Sequence, residues 1–182
     1  MISSIFIDGT RIALRPLAEE DLAGDYISWL NDSEVGAHNG HHVFPYTIEA
    51  ARAYLAEVAD LKRNLVLAIV AKDTGKHIGN ISLQQIDYVS RNAEYAIMIG
   101  DKSYWGQGIA KEASVLILAH GFGALNLHRI YCGTSSKNEA MKKLAVTLGF
   151  TEEGVRREAF FKAGEYVDIV EYGLLAAEFS AP

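Results

Sequence analysis

The chain has 182 residues, of which 49% are apolar and 22% charged, and its formal net charge is −6 at pH 7. We expect one domain over residues 1–182, because domains commonly contain about 100–200 residues and the composition does not shift along the chain. The acidic balance argues against general nucleic-acid binding, which requires a basic surface. Neither a secretory signal nor an apolar run near the roughly 20 residues of a membrane span is visible, so we expect a cytoplasmic protein without a membrane partner.

The first third of the chain predicts one strand and two helices. Residues 11–15 alternate polar and apolar side chains as a strand does, and Pro16 ends this strand. An acidic start predicts a first helix over about 19–30. Thr47 is the predicted N-cap of a second helix. The apolar residues on one face of this second helix are Ile48, Ala51, Leu55 and Val58.

The remainder of the chain alternates strands and helices, which predicts a mixed α/β sheet with helices on its faces. Predicted strands are 65–71, 76–83, 92–99, 128–132, 154–161 and 166–175, and a buried helix is predicted at 108–122. Asp73-Thr74-Gly75 is a turn signal typical of an antiparallel hairpin. Ser136 and Glu139 have the spacing of a capping box, and Gly149 is the expected end of the helix that this box begins.

A strand, a glycine-containing loop and a helix follow one another between Glu94 and Ala110. Gly106 and Gly108 allow close approach of the backbone, and the first amides of a helix favour an anion by about 0.3–1 kcal/mol per interaction. A diphosphate fits such a loop, although the same glycines also suit a strand-to-helix turn for packing reasons. Neither the Walker pattern nor a Gly-x-Gly-x-x-Gly that opens a βαβ unit is present.

The loop sequence Trp105-Gly106-Gln107-Gly108-Ile109-Ala110 resembles the acyl-CoA loop of the GNAT superfamily of N-acetyltransferases, Arg/Gln-x-x-Gly-x-Gly/Ala. Trp105 stands where Arg or Gln is usual. Further similarity to the RimJ/RimL-type branch and to spermidine acetyltransferases is carried by 127–131, Asn138, Gly149-Phe150 and 152–154. The resemblance spans about residues 11–175. It implies the GNAT fold, a central mixed, mostly antiparallel sheet of about seven strands with helices on both faces, in which strands 92–99 and 128–133 splay around the pantetheine of the cofactor.

The same resemblance implies acetyl-CoA as co-substrate and assigns residues to it. Backbone groups near Met98 and Ile99 are expected to hold the pantetheine and polarise the thioester carbonyl. The amides of 106–110 are expected to hold the pyrophosphate, Asn138 to meet the pantetheine arm, and Lys142 or Lys143 to reach a phosphate. The residues alone favour another interpretation of Asn138, that of a first-turn helix residue beside its cap.

Glu94 is the candidate base, because it matches the glutamate that begins the equivalent strand in GNAT enzymes with a glutamate base; a water would relay the proton. The alternative is a carboxylate that is solvated or paired with Arg91 or Arg129. Many GNAT enzymes place a tyrosine acid seven residues after the asparagine, where this chain has Ala145. The substitutes are Tyr131, Ser135 and Tyr104, or departure of the thiolate without an acid.

The loop that follows the first helix would border the acceptor pocket in a GNAT fold. The candidate substrate contacts there are Trp29, Glu34, His41 and Phe44. Their alternative roles are core packing for Trp29 and Phe44 and solvated surface for the other two. The three histidines of 38–42 match no structural zinc pattern, so no metal is expected. Asp168 resembles the Gly-x-x-x-Asp element of related enzymes, in which it orients substrate or anchors the last hairpin.

These features predict an acetyltransferase in which the acceptor amine attacks acetyl-CoA directly, without an acyl-enzyme, so that Cys132 has no catalytic role. The acceptor is a protein N-terminus, a polyamine, a nucleotide-linked aminosugar or an amine antibiotic, and the acidic balance favours a cationic one. Two alternatives are a catalytically silent CoA-binding regulatory module and a plain nucleotide-binding module. A homodimer is compatible with the resemblance, and the strand pattern does not decide it.

Overall fold

The computed structural model describes residues 4–59 and 63–180. Within these residues the chain forms eight strands and four α-helices. The strands are β1 (Ile7–Asp8), β2 (Ile12–Pro16), β3 (Leu65–Ala71), β4 (His77–Asp87), β5 (Asn92–Ile99), β6 (Arg129–Ser135), β7 (Thr151–Lys162) and β8 (Glu165–Leu175). The helices are α1 (Tyr26–Leu30), α2 (Ile48–Val58), α3 (Ile109–Gly123) and α4 (Glu139–Thr147).

All eight strands belong to one sheet in the order β1-β2-β3-β4-β5-β6-β8-β7. Every neighbouring pair is antiparallel except β5 and β6, which are parallel. The predicted mixed, mostly antiparallel sheet is therefore confirmed, with eight strands rather than about seven. The additional strand is β1, whose two residues are too few to show a periodic pattern; it pairs with Ala13 and Leu14 of β2.

The parallel pair β5 and β6 is joined over only a short stretch. Asn92, Ala93 and Glu94 lie opposite Arg129, Ile130 and Tyr131, and no later residue of β5 is paired with β6. The strands therefore separate beyond Glu94, which is the splay that the family resemblance implies. We call the space between the separated ends the β5–β6 gap.

The sheet buries a core on each face. On one face, α3 packs against strand side chains such as Tyr95, whose hydroxyl is 2.6 Å from the Ser114 hydroxyl. On the other face, α1 and α2 pack around Tyr26 and Trp29, and Met98 of β5 joins this cluster. Because successive side chains of a strand point to opposite faces, Glu94 shares the α1/α2 face with Met98.

The predicted continuous helix over 19–30 is wrong. Residues Glu19–Ala23 form a 3-10 turn, and α1 begins only at Tyr26, because Gly24 has an extended conformation. The Asp21 carboxylate, 2.9 Å from the Ala18 amide, holds the turn in place. The second predicted helix is confirmed: the Thr47 hydroxyl accepts a hydrogen bond from the Ala50 amide at the start of α2.

The predicted capping box at Ser136 is also wrong. Helix α4 is capped by Asn138, whose Oδ1 accepts a hydrogen bond from the Met141 amide at 3.1 Å. Ser136 instead donates its own amide to the Asp168 carbonyl at 2.9 Å, which ties the end of β6 to β8. Gly149 follows α4 with a φ of 90°, as expected for a glycine that ends a helix.

Candidate active site

The loop between β5 and α3 has the geometry of an anion-binding turn. Gly106 and Gly108 have φ values of 71° and 78°, in the left-handed region that side chains disfavour. The Glu112 amide donates to the Gly108 carbonyl at 3.1 Å and closes the first turn of α3. The amides of 109–111 precede that bond and have no partner within the helix. A fifteen-residue helix thus begins with free amides directly after two glycines, an arrangement that suits a pyrophosphate.

Arg11, at the start of β2, holds this loop. Its Nη1 donates to the Gln107 carbonyl at 2.8 Å, and its Nε lies 3.0 Å from Glu112 Oε2. Burial would raise the pKa of Glu112, but the hydrogen bonds from Arg11 outweigh it and the pKa lies below its usual value. Sequence reasoning missed Arg11, because nothing in a strand pattern reveals a contact with a loop 96 residues away.

Two tryptophans lie at the end of β5. The Trp105 indole donates to the Ile99 carbonyl at 2.8 Å, so the residue at the unusual motif position fixes the strand end beside the loop. Trp29 packs on Gly100 so closely that a Cβ there would lie 2.1 Å from the indole ring. Trp29 is buried in the core, as its alternative role predicted, and it also connects α1 to the strand that the thioester would meet.

Asn138 joins β6 to α4. Its Oδ1 caps the helix, and its Nδ2 donates to Thr134 Oγ1 at 3.1 Å. The alternative interpretation, a first-turn helix residue beside its cap, is therefore nearly right, except that Asn138 is itself the cap. Its contact with pantetheine stays a prediction. Lys142, one helical turn on, is 2.7 Å from Glu139, which raises the pKa of the lysine. Lys143 is exposed on the same helix.

Glu94 and Tyr131 lie opposite each other at the last paired position of β5 and β6. Glu94 Oε2 accepts a hydrogen bond from Gln85 Nε2 at 2.6 Å. The predicted alternative, an ion pair with an arginine, is wrong: Arg91 bonds to Asn126 and Arg129 bonds to Glu153. The carboxylate of Glu94 is therefore placed on the α1/α2 face beside a phenol, where the β5–β6 gap begins.

The candidate acids differ in position. Burial and the nearby Glu94 charge raise the pKa of Tyr131, so its hydroxyl keeps its proton at neutral pH and releases it less readily than an ordinary phenol. Ser135 is buried, and its hydroxyl accepts a hydrogen bond from the Lys137 amide at 3.3 Å. The Tyr104 hydroxyl is 3.2 Å from Thr74 in the β3–β4 turn, so the structure does not bring it to β6.

A second carboxylate, missed by the sequence analysis, lies on the same face. Glu171 of β8 is opposite Gly133 of β6, and a Cβ added to Gly133 would meet its two carboxylate oxygens at 3.0 and 3.2 Å. Its present partner is Arg156, at 2.5 Å on the edge strand β7. Burial and the charges of Glu171 and Glu94 raise the pKa of the Cys132 thiol to about 12, which keeps it protonated. Only the β6–β8 register reveals the position of Glu171.

The loop after α1 contacts the tip of the β7–β8 hairpin. Lys162 Nζ donates to the His41 carbonyl at 2.5 Å and to the Asn39 carbonyl at 3.1 Å. Burial of the ring and the nearby Lys162 charge lower the pKa of His41. Of the candidate acceptor residues in this loop, His41 is therefore the one that lies against the hairpin.

The other three substrate candidates differ in their contacts with the rest of the protein. Glu34 is 2.6 Å from Lys102, close to the glycine loop. Phe44 is 83% exposed, so core packing is the wrong alternative for it. Asp168 Oδ1 accepts a hydrogen bond from the Glu158 amide at 2.8 Å, and Glu158 has a φ of 50°. This bond favours the anchoring role of Asp168 in the hairpin.

A buried cluster of charged and polar side chains, Arg15, Asp21 and His77, packs next to α1. Arg15 makes two hydrogen bonds to Asp21, at 2.6 and 2.7 Å, and His77 Nδ1 is 3.2 Å from the same carboxylate. Burial would raise the pKa of Asp21, but the bonds from Arg15 and His77 outweigh it and hold that pKa well below its usual range. The His77 ring packs against Trp29 with centroids 5.1 Å apart, so the cluster positions the acceptor side of the site.

Within residues 4–59 and 63–180, no group of three or more His, Cys, Asp and Glu side chains is arranged to hold a metal ion. In the same part of the chain, no helix has both the length and the apolarity of a membrane span.

Comparison with known proteins identifies the family. Residues 11–151 match the model of the acetyltransferase (GNAT) domain. A spermidine N(1)-acetyltransferase of Vibrio cholerae is 30% identical over 176 residues, which cover 93% of this chain and 96% of that protein. The crystal structure of a spermidine N-acetyltransferase from Vibrio cholerae in complex with CoA and spermine has a TM-score of 0.84 at 25% identity, over 92% of this chain and 97% of that one.

RimJ of Mycobacterium smegmatis, in complex with CoA-disulfide, shares the fold with a TM-score of 0.83 at 21% identity, over 94% of this chain and 88% of that one. The chain therefore belongs to the GNAT acetyltransferase family. It is an acetyl-CoA-dependent N-acetyltransferase, which transfers an acetyl group to an amine.

Proposed function

We propose that the acceptor is a polyamine of the spermidine type. The observation that carries the proposal is the placement of Glu94 and Glu171 on the α1/α2 face beside the β5–β6 gap, in a chain of net charge −6. Carboxylates favour ammonium groups, and an apolar acceptor gains nothing from them. The similarity to spermidine acetyltransferases over nearly the whole chain supports the same acceptor class.

The donor side of the proposal uses main-chain groups. Amides of 106–110 hold the pyrophosphate of acetyl-CoA, and the unpaired edge of β5 near Met98 and Ile99 holds the pantetheine and polarises the thioester carbonyl. This assignment fits the left-handed glycines, the free helix amides and the separated strands. Asn138, Lys142 and Lys143 border the same cofactor from α4.

The acceptor nitrogen must lose a proton before it attacks. An amine with a pKa near that of lysine, about 10.4, costs roughly 4–5 kcal/mol to deprotonate at pH 7. Glu94 takes this proton through a water, and the neutral nitrogen attacks the thioester carbonyl in the ternary complex. Tyr131, which lies opposite Glu94 where the β5–β6 gap begins, donates its proton to the departing thiolate as that charge develops. Cys132 forms no acyl-enzyme.

Thiol release from acetyl-CoA, measured against a panel of amines, tests the proposal. The panel contains spermidine, spermine, an N-terminal peptide, an aminosugar nucleotide and an aminoglycoside at equal concentration. We expect the highest kcat/KM with the polyamines. Preference for any other class would contradict the acceptor assignment, and tight CoA binding without thiol release from any amine would favour the silent module.

A further inference from the structure

Glu171 occupies a defined position relative to Glu94. Gly133 and Glu171 are opposite each other, two residues beyond the Tyr131 position that pairs with Glu94. At about 3.3 Å per strand residue, Glu171 therefore lies roughly 6–7 Å further along the strand direction, past the start of the β5–β6 gap and level with its open part. Glu171 is thus level with the part of β6 that β5 no longer pairs with, whereas Glu94 lies at the last position where the two strands are paired.

Gly133 allows this placement. The Glu171 carboxylate lies over the bare Cα of Gly133, with both oxygens inside the 3.4 Å limit of ordinary contact with an added Cβ. A Cβ at position 133 would lie 3.0 Å from the nearer oxygen, so the carboxylate would have to shift away from its present position. The carboxylate thereby extends across β6 towards the gap instead of remaining over β8.

The partner of Glu171 is suited to exchange. Arg156 approaches through a single Nε contact, and its side chain is 64% exposed on the edge strand β7. Exposed ion pairs of this kind contribute little to the stability of the fold, because water and salt screen them. An ammonium group that enters from the gap side is desolvated on one side by the sheet and competes with Arg156 at small cost.

We propose that Glu171 binds the charged ammonium group of the acceptor next to the nitrogen that is acetylated, and so sets the preference for acceptors with more than one amine. The inference rests on the proposed polyamine acceptor. Glu94 removes a proton from the reacting nitrogen, while Glu171 accepts hydrogen bonds from a nitrogen that remains charged. The two carboxylates therefore act on different nitrogens of the same molecule.

The test is steady-state kinetics with spermidine, 1,4-diaminobutane and butylamine as acceptors and saturating acetyl-CoA. For Glu171→Gln we expect the KM for spermidine and 1,4-diaminobutane to rise about ten- to hundredfold, as for loss of one charge-assisted hydrogen bond, with kcat nearly unchanged. The KM for butylamine should not change, because it has no second ammonium. Glu171→Asp should recover part of the affinity.

Two further variants keep the charge of Glu171: one displaces its carboxylate, and the other removes its cationic partner. Gly133→Ala should raise the same KM by a smaller factor, and Arg156→Gln should lower it. The matched control is Glu165→Gln. Glu165 is on the same strand as Glu171 and is likewise paired with an exposed cationic side chain, that of Lys137. The control variant should change none of the three KM values.

The outcomes separate the two proposals. A wild-type enzyme that acetylates no polyamine contradicts the proposed acceptor and the inference together. A wild-type enzyme that acetylates spermidine, with Glu171→Gln indistinguishable from Glu165→Gln, overturns the inference alone. An equal loss of kcat for all three acceptors in Glu171→Gln, smaller at higher pH, would also overturn it, because Glu171 would then be the base.

Discussion

The donor end and the acceptor end of the site use different parts of the polypeptide. At the proposed donor end the groups available to a ligand are main-chain amides, held by two left-handed glycines and the start of α3. At the proposed acceptor end they are side chains, the carboxylates of Glu94 and Glu171 and the phenol of Tyr131. Backbone conformation should therefore decide cofactor affinity, and side-chain charge should decide the turnover and choice of the amine.

The largest expected effect concerns the support of the acceptor end. Asp21→Asn leaves Arg15 and His77 without their common carboxylate in a buried position, and should lower the free energy of unfolding by about 3–5 kcal/mol. Urea unfolding at pH 7 measures the change. A loss below about 1 kcal/mol would show that charge does not hold this end together.

The same pair predicts a pH dependence of stability. The pKa of Asp21 is lowered in the folded protein, so its contribution is complete above the unfolded value of about 3.9 and is lost as the pH falls towards the folded value. The difference in the free energy of unfolding between wild type and Asp21→Asn should be constant from pH 7 to about pH 5 and should begin to shrink as the pH falls from about 4 to 3, without reaching zero there, because the folded pKa lies well below its usual range. A difference that stays constant over the whole range would contradict the assignment.

Turnover should be the next most sensitive property. Glu94→Gln should lower kcat/KM for spermidine by about a hundredfold at pH 7, the loss typical of a removed general base. The difference should shrink as the pH rises, because more of the amine is already neutral. Calorimetric affinity for CoA should stay unchanged, and Glu165→Gln serves as the control; an equal loss of CoA affinity would place Glu94 at the donor end instead.

Cofactor affinity should respond to backbone strain. Gly108→Ala forces a side chain into a left-handed conformation, which costs about 1–2 kcal/mol, and should weaken CoA binding roughly tenfold if the loop relaxes away from it. Gly123→Ala, at the other end of α3, is the control, because a Cβ there meets nothing within 4 Å. Equal CoA affinities in the two variants would show that CoA binding does not depend on the left-handed conformation of Gly108.

The smallest expected effect is that of the arginine that holds the loop. Arg11→Gln removes a partly exposed guanidinium from Gln107 and Glu112, and should weaken CoA binding severalfold while the KM for spermidine stays unchanged. Arg52→Gln, which breaks an exposed ion pair with Glu19, is the matched control. If Arg11→Gln changed the KM for spermidine and left CoA affinity unchanged, Arg11 would support the acceptor end and not the donor end.

Local patterns predicted those parts of the molecule that local physics determines. The bounds of β5, the turn between β3 and β4 and the start of α3 after Gly108 follow from periodicity and from glycine positions. The family resemblance added the splay, which no single strand pattern contains. The break after the first 3-10 turn was missed, because it depends on Asp21 and its ion pair with Arg15.

The side chains that sequence reasoning missed are placed by long-range register. Glu171 lies over Gly133 only because β8 pairs with β6 in one alignment, and a shift by one residue would turn it to the other face. The helix cap is Asn138 and not Ser136, whose backbone amide donates instead to the Asp168 carbonyl of β8. Such contacts join segments far apart in the chain, and composition or spacing does not encode them.

The short ladder between β5 and β6 has a consequence for folding. Three residue pairs join the five-strand part of the sheet to the three-strand part, so the two parts share few main-chain hydrogen bonds. In the proposed binding mode, a pantetheine arm along the separated edges would supply amide groups where a neighbouring strand otherwise does so. Cofactor binding thus also completes the sheet, and saturation at a hundred times the dissociation constant adds about 2.7 kcal/mol to the free energy of unfolding. The midpoint of thermal unfolding should therefore rise with the concentration of CoA.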